Sequence, residues 1–247
     1  MNSNIIYDQK WFKLIKRSFL FRYFPFVDFV LGAGSMALGD VNENSDFDVI
    51  VGTKFGRLWT ARFFCLAIYK LVGWRRKKNK TANLFCFNHF VTEKSYQLQP
   101  PYNIYWQELY KNLAPLFGDL EKIEAFLKSN KWTCHSAALG EPRLWREVAA
   151  EGSDEIFRFA QNGVIFNDLR FKYQTSSKFK LFLEKILSGK LGDWLENFFK
   201  SYQIKKIEKF LKNSPPGYKP RIIYNDAEVE LHLDTRRLET IKNKRYS

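Results

Sequence analysis

The chain has 247 residues, 40 Lys and Arg against 26 Asp and Glu for a formal net charge of +14, and a hydrophobic content of 45%. Such a length and apolar content can bury a core and argue against intrinsic disorder, while the charge predicts polyanionic partners. Three cysteines (Cys65, Cys86 and Cys134), none at CxxC spacing, argue against a disulfide scaffold and against a zinc ribbon.

In chain order, residues 9–23 (QKWFKLIKRSFLFRY) carry apolar side chains at three- and four-residue spacings and predict an amphipathic helix closed by Pro25. Asp8, Lys10, Lys13, Lys16 and Arg17 break up the apolar residues there, so no signal peptide is expected and a cytoplasmic location is. FVDFVL (26–31) reads as a strand running into the small-residue turn Gly32-Ala33-Gly34-Ser35. DFDVIV (46–51) reads as the next strand. RLWTARFFCLAIYKLVGW then reads as a largely buried helix; its most apolar part is about half a membrane span and contains Lys70, so no membrane contact is expected. NLFCFNHFV (83–91) predicts a third, buried strand.

After Pro100-Pro101 helical patterns dominate: NIYWQELYKNLAPLF, then DLEKIEAFLKSNKW with Asp119 as N-cap, then residues 142–162 and 178–212. The last of these reads as a helical hairpin broken at Ser188-Gly189. Beyond Asn213-Ser214-Pro215-Pro216-Gly217, RIIYNDAEVELHL predicts a β-hairpin with Asn225-Asp226 at its tip and with Glu228 and Glu230 on its solvent face. The expected organisation is α+β, with a small mixed sheet and flanking helices over 1–100, then a mainly helical region with a C-terminal hairpin over 101–247.

The positive charge is concentrated. From Val49 to Thr92 there is no acid, but there are nine bases: Lys54, Arg57, Arg62, Lys70, Arg75, Arg76, Lys77, Lys78 and Lys80. A run of this kind is either a solvated loop or a collar for phosphates or nucleic acid. The segment just before it puts the collar level with the loop as a reading. In GSMALGDVNENSDFD (34–48) a Gly-Ser turn follows a strand, and an Asp-x-Asp lies within the next one. Strand alternation places Asp46 and Asp48 on one face, about 6.6–6.8 Å apart along the chain, and turns Phe47 to the other. Two such carboxylates can hold Mg²⁺ opposite a triphosphate, as phosphoryl or nucleotidyl transfer requires. Gly34 admits a phosphate close to the backbone, and Ser35 can donate to its oxygens.

GSMALGDVNENSDFDVIV resembles the defining motif of the polymerase-beta-like nucleotidyltransferase superfamily in its minimal bacterial form, with Gly34, Ser35, Ala37, Gly39, Ser45, Asp46 and Asp48 in place. The resemblance extends over roughly residues 20–92, and CFNHFVTE and FLKSNKW are more loosely similar to bacterial nucleotidyltransferase-domain proteins. It implies that Gly34 and Ser35 hold a nucleoside triphosphate and that Asp46 and Asp48 ligate one or two Mg²⁺ ions. It also implies a third carboxylate on a neighbouring strand, but NLFCFNHFV offers only Cys86 and Asn88 there. Glu93, Glu108 and Glu147 are the alternatives, with Glu108 first because it lies early in the helical half among Tyr105, Trp106 and Tyr110. Two functions stay open: transfer of a nucleoside monophosphate to an acceptor hydroxyl of a small molecule, RNA or protein, or a catalytically impaired descendant that binds nucleotide or RNA or pairs in a toxin–antitoxin complex. The histidines read as core or surface residues, the tryptophans as core packing with one or two able to stack an adenine or acceptor base, and Cys65 and Cys86 as packed thiols.

Overall fold

The computed structural model describes residues 3–77, 79–98, 109–110, 112–130, 176–213 and 221–232. Among these, six strands form one mixed sheet: β1 (Val27–Gly32), β2 (Phe47–Thr53), β3 (Phe85–Val91), β4 (Ala114–Gly118), β5 (Arg221–Tyr224) and β6 (Glu228–His232), in the spatial order β4-β1-β2-β3-β6-β5. β2 and β3 are parallel and every other neighbouring pair is antiparallel. The helices are α1 (Ser3–Ser18), α2 (Gly34–Leu38), α3 (Leu58–Leu71), α4 (Leu120–Ser129), α5 (Lys178–Leu187) and α6 (Lys190–Lys212).

Strand alternation sorts the sheet residues into two cores. Phe47, Val49, Val51, Phe85, Phe87 and Phe90 face α1, α3 and α6, in a cluster with Trp11, Leu14, Phe21, Trp59 and Tyr69. Phe21, Tyr69 and Phe85 pack there with ring centroids 4.5–6.1 Å apart. On the reverse face Phe29, Leu31, Ile50 and Val91 meet Tyr96 and, from α4, Ile123 and Phe126.

Helix α3 makes the crossover that the parallel β2–β3 pair needs. Arg57, its N-cap residue, supplies no side-chain cap. The missing acceptors come instead from α6, where the Glu196 carboxylate takes the N–H groups of Trp59 and Thr60, each at 2.8 Å. This bidentate cap fixes α6 to α3. Burial raises the Glu196 pKa, and the bonds from Thr60 and Trp59 partly offset that. The expected break at Ser188-Gly189 separates α5 from α6, and Asp119 caps α4 by accepting from Glu121 N and Lys122 N at 3.0 and 3.3 Å.

Two expectations are corrected. The end of NIYWQELYKNLAPLF is not helical: Ala114–Gly118 is a strand on the sheet edge, paired with β1. Pro115 has no N–H to offer a ladder, which an edge strand tolerates. Gly118 (φ +120) closes the strand so tightly that a Cβ there would lie 2.2 Å from the Asp28 carbonyl oxygen. Nor do Glu228 and Glu230 face solvent, because β6 does not stand apart as a hairpin. It adds to β3, and both carboxylates are buried. The sheet thus takes three strands from each side of residue 100. The helical pattern at 142–162 lies outside the described residues.

Candidate active site

The Gly-Ser turn and the Asp-x-Asp strand meet in space. β1 pairs with β2 through Gly32 and Val49, and Ala33 N donates to Asp48 O at 2.9 Å. This brings Gly34, at φ +63, directly onto the Asp48 side chain. A Cβ at Gly34 would sit 2.1 Å from Asp48 Oδ2 and 2.8 Å from Asp48 Cγ. Only glycine satisfies both the left-handed backbone and the carboxylate against it. Ser35 lies half-buried next to this contact. Asp46 and Asp48 are likewise half-buried, while Phe47 between them is fully buried on the opposite face, as strand alternation requires.

The loop entering β2 is anchored from α1. Lys10, buried on the same stripe as Leu14 and Ser18, donates to the Glu43 and Ser45 carbonyls at 3.0 and 2.8 Å and to Asn83 Oδ1 at 3.2 Å. Ser45 Oγ accepts from Asn42 N at 3.0 Å and closes the loop. Lys10 is a positioning residue that the sequence reading missed. Its signal was a lysine four residues before Leu14, on the face that a helix here must bury.

Beside the two acids stand Cys86 and Asn88 of β3. Asp48 pairs with Cys86 in the ladder, and one ligand atom each from Asp46, Asp48 and Cys86 lie within 4.8 Å of one another. Burial, then the charges of Asp48 and Asp46, push the Cys86 pKa well up, so it remains a thiol. The Cys86 S–H donates to Asn88 Oδ1 at 3.0 Å, which turns the Asn88 amide nitrogen toward Asp48 Oδ1 at 3.4 Å. Arg76 Nη1 reaches Asp46 Oδ2 at 2.9 Å and Cys86 Sγ at 3.4 Å. The site therefore holds two carboxylates, one guanidinium and two neutral groups. Its clustered carboxylate oxygens could hold a hard cation.

Of the proposed third acids, Glu93 lies past the far end of β3, where its Oε2 accepts from Phe55 N at 3.3 Å. Glu108 and Glu147 lie outside the described residues. The basic run divides. Arg76 reaches the acids, whereas Arg57 pairs with Asp193 at 2.6 Å and donates to the Leu187 and Ser188 carbonyls. Arg62, Lys70 and Arg75 line a cavity on the helical face, and Lys78 lies outside the described residues. Trp59 is a core residue as expected, but Trp194 is 62% exposed.

A second group of titratable side chains crosses β3 and β6. His89 Nε2 meets Glu228 Oε1 at 2.8 Å, and His232 Nε2 meets Glu230 Oε1 at 3.0 Å. His89 thus gives the buried Glu228 a hydrogen-bonding partner inside the sheet. No protein-family profile, curated protein or solved structure matches the chain.

Proposed function

We propose that the chain is a Mg²⁺-dependent nucleotidyltransferase that moves a nucleoside monophosphate from a nucleoside triphosphate to an acceptor hydroxyl. The observation that carries this reading is the seating of Gly34 on the Asp48 carboxylate, which joins the phosphate turn to the acidic strand. Asp46 and Asp48 would hold the Mg²⁺. When bound, the metal would neutralise the phosphates and stabilise the leaving pyrophosphate. Gly34 gives its side-chain space to the Asp48 carboxylate, and beside that contact the Ser35 hydroxyl and N–H can donate to phosphate oxygens. Arg76, already at Asp46, adds a cation at the edge of the site, where a triphosphate brings several negative charges. Lys10 keeps the loop ahead of Asp46 in place. The acceptor, whether small molecule, RNA or protein, would enter above these groups, and of the bases in residues 54–80 the exposed Lys54, Lys77 and Lys80 are available to nucleic acid.

The test is incubation with Mg²⁺ and labelled ATP, CTP, GTP or UTP in the presence of RNA, protein and small-molecule acceptors. Label transfer is expected, and it should disappear in Asp46→Ala. Nucleotide or RNA binding that persists in Asp46→Ala, with no transfer by the wild type, would overturn the proposal. One observation favours that second reading, a non-catalytic binding module. The neighbouring strand presents Cys86 and Asn88 where a proton acceptor is expected, and neither takes a proton at neutral pH.

A further inference from the structure

Between α3, α6 and the β5–β6 hairpin lies a cavity of about 320 Å³, within the size range of small-molecule sites. It opens on the face of the sheet opposite Asp46 and Asp48, because its floor residues Ile222 and Leu231 pack against the core cluster to which Phe47 and Val49 belong. Its charged lining is entirely cationic: Arg62, Lys70, Arg75 and Lys206. None of the four has a carboxylate partner among the described residues. Arg62 is the decisive one. It is only 6% exposed, it donates one Nη1 bond to Gln203 Oε1, and its Nε–H is buried with no acceptor. A buried guanidinium with an unmade donor and no counter-ion is costly unless an anion completes it. Burial, with the nearby Arg75 charge, drops its pKa to about 9.

The walls give the rest of the ligand. Phe63, Tyr202 and Phe210 supply rings, and Leu66 and Ile207 supply aliphatic surface. Lys206 lies 4.3 Å from the centre of the Tyr202 ring, so charge and ring face meet at one place. Four cations exceed what a single carboxylate balances, whereas a phosphate monoester carries about −1.5 to −2 near neutral pH.

We propose that this cavity binds a small phosphate monoester with an aromatic or apolar body, the phosphate accepting from Arg62 and the body lying on the Phe63 and Tyr202 side. The site is separate from the acidic one and does not depend on nucleotidyl transfer.

Isothermal titration calorimetry on the full chain, without divalent metal, tests it with four probes: AMP, lysophosphatidic acid, inorganic phosphate and adenosine. AMP or lysophosphatidic acid should bind at least tenfold more tightly than inorganic phosphate or adenosine, and which of the two wins distinguishes a nucleotide from a lipid phosphate. The winning probe should bind at least tenfold more weakly to Lys70→Ala/Lys206→Ala, a pair of exposed lysines whose loss leaves the melting temperature unchanged. Arg62→Gln should abolish binding, and if that variant fails to fold the lysine pair carries the test. Binding must persist in Asp46→Ala, since its loss would put the ligand on the other face and overturn the assignment. Equal affinity for inorganic phosphate, binding of neither organic phosphate, or affinity unchanged in the lysine pair would each overturn it too.

Discussion

On one face of the sheet the unbalanced charged groups are acids at half exposure, Asp46 and Asp48, and Arg76 reaches Asp46 from a loop. On the other they are cations around a cavity, with Arg62 buried and unanswered by any acid among the described residues. Both faces depart from charge balance, in opposite senses. A folded core tolerates an unbalanced charge only at a cost, so each imbalance marks a place where something from solution of opposite sign is expected. The acidic face calls for a cation and the basic face for an anion. A buried acid elsewhere finds its own donors, as Glu196 does at the N-terminus of α3.

The acidic face is broken most severely at Gly34. Gly34→Ala forces a left-handed backbone, worth about 1–3 kcal/mol alone, and drives a methyl into Asp48. Urea unfolding should register a loss of about 3 kcal/mol or more, together with loss of label transfer. The three atoms nearest that methyl all belong to the Asp48 side chain, so Asp48→Gly should recover part of the loss. The pair should then couple by more than about 1 kcal/mol in a double-mutant cycle. Simple additivity would contradict the contact.

On the basic face the comparable lever is Glu196→Ala, which strips two N–H groups of their shared acceptor. The expected cost is about 2 kcal/mol, read by the same unfolding measurement. Glu196 also has a pH signature. Its folded pKa is raised above the ordinary 4.5, so between those two values the folded state holds more protons than the unfolded one. The contribution of this group therefore falls as pH rises from 4.5 and levels off once the folded carboxyl has ionised. The stability difference between wild type and Glu196→Gln should shrink over that window; a difference that grows would contradict the raised pKa.

Asn88→Asp sharpens the contrast by adding a third acid to the acidic face, next to Asp48. Mg²⁺ affinity should rise roughly tenfold, about 1.4 kcal/mol, with faster label transfer. Unchanged Mg²⁺ affinity would mean that Asn88 does not border the metal position. Arg76→Ala should change stability least, by under about 1 kcal/mol in urea, because its side chain is 46% exposed.

What could be read in the sequence was whatever the local chain must do. The Gly-Ser turn, the alternation of Asp46, Phe47 and Asp48, the Asp119 cap and the Asn225-Asp226 tip are each fixed by residues within a few positions of one another. Placement over long separations could not be read. Whether Glu228 and Glu230 meet water depends on β3, some 140 positions earlier, and the alternating pattern of the hairpin fits either outcome. The same distance hid Glu196 as the cap of α3 and Arg62 as a wall of a cavity, since neither role leaves a mark on neighbouring residues. For Ala114–Gly118, the helical appearance of the preceding segment was overridden by the free edge of β1.

The spatial order of the strands has a consequence for biosynthesis. β3, written FCFNHFV, gains its second neighbour only when β6 emerges, although β2 precedes it closely in the chain. At about 5–20 residues per second, the ribosome needs roughly 7–27 s to travel from Val91 to Glu228. For that interval the His89–Val91 end of this aromatic strand waits with one edge unpaired, only its Phe85 end being bridged by Trp74 and Arg76, and such an edge recruits other chains. The nascent protein therefore has a window of vulnerability that closes when the β5–β6 hairpin arrives.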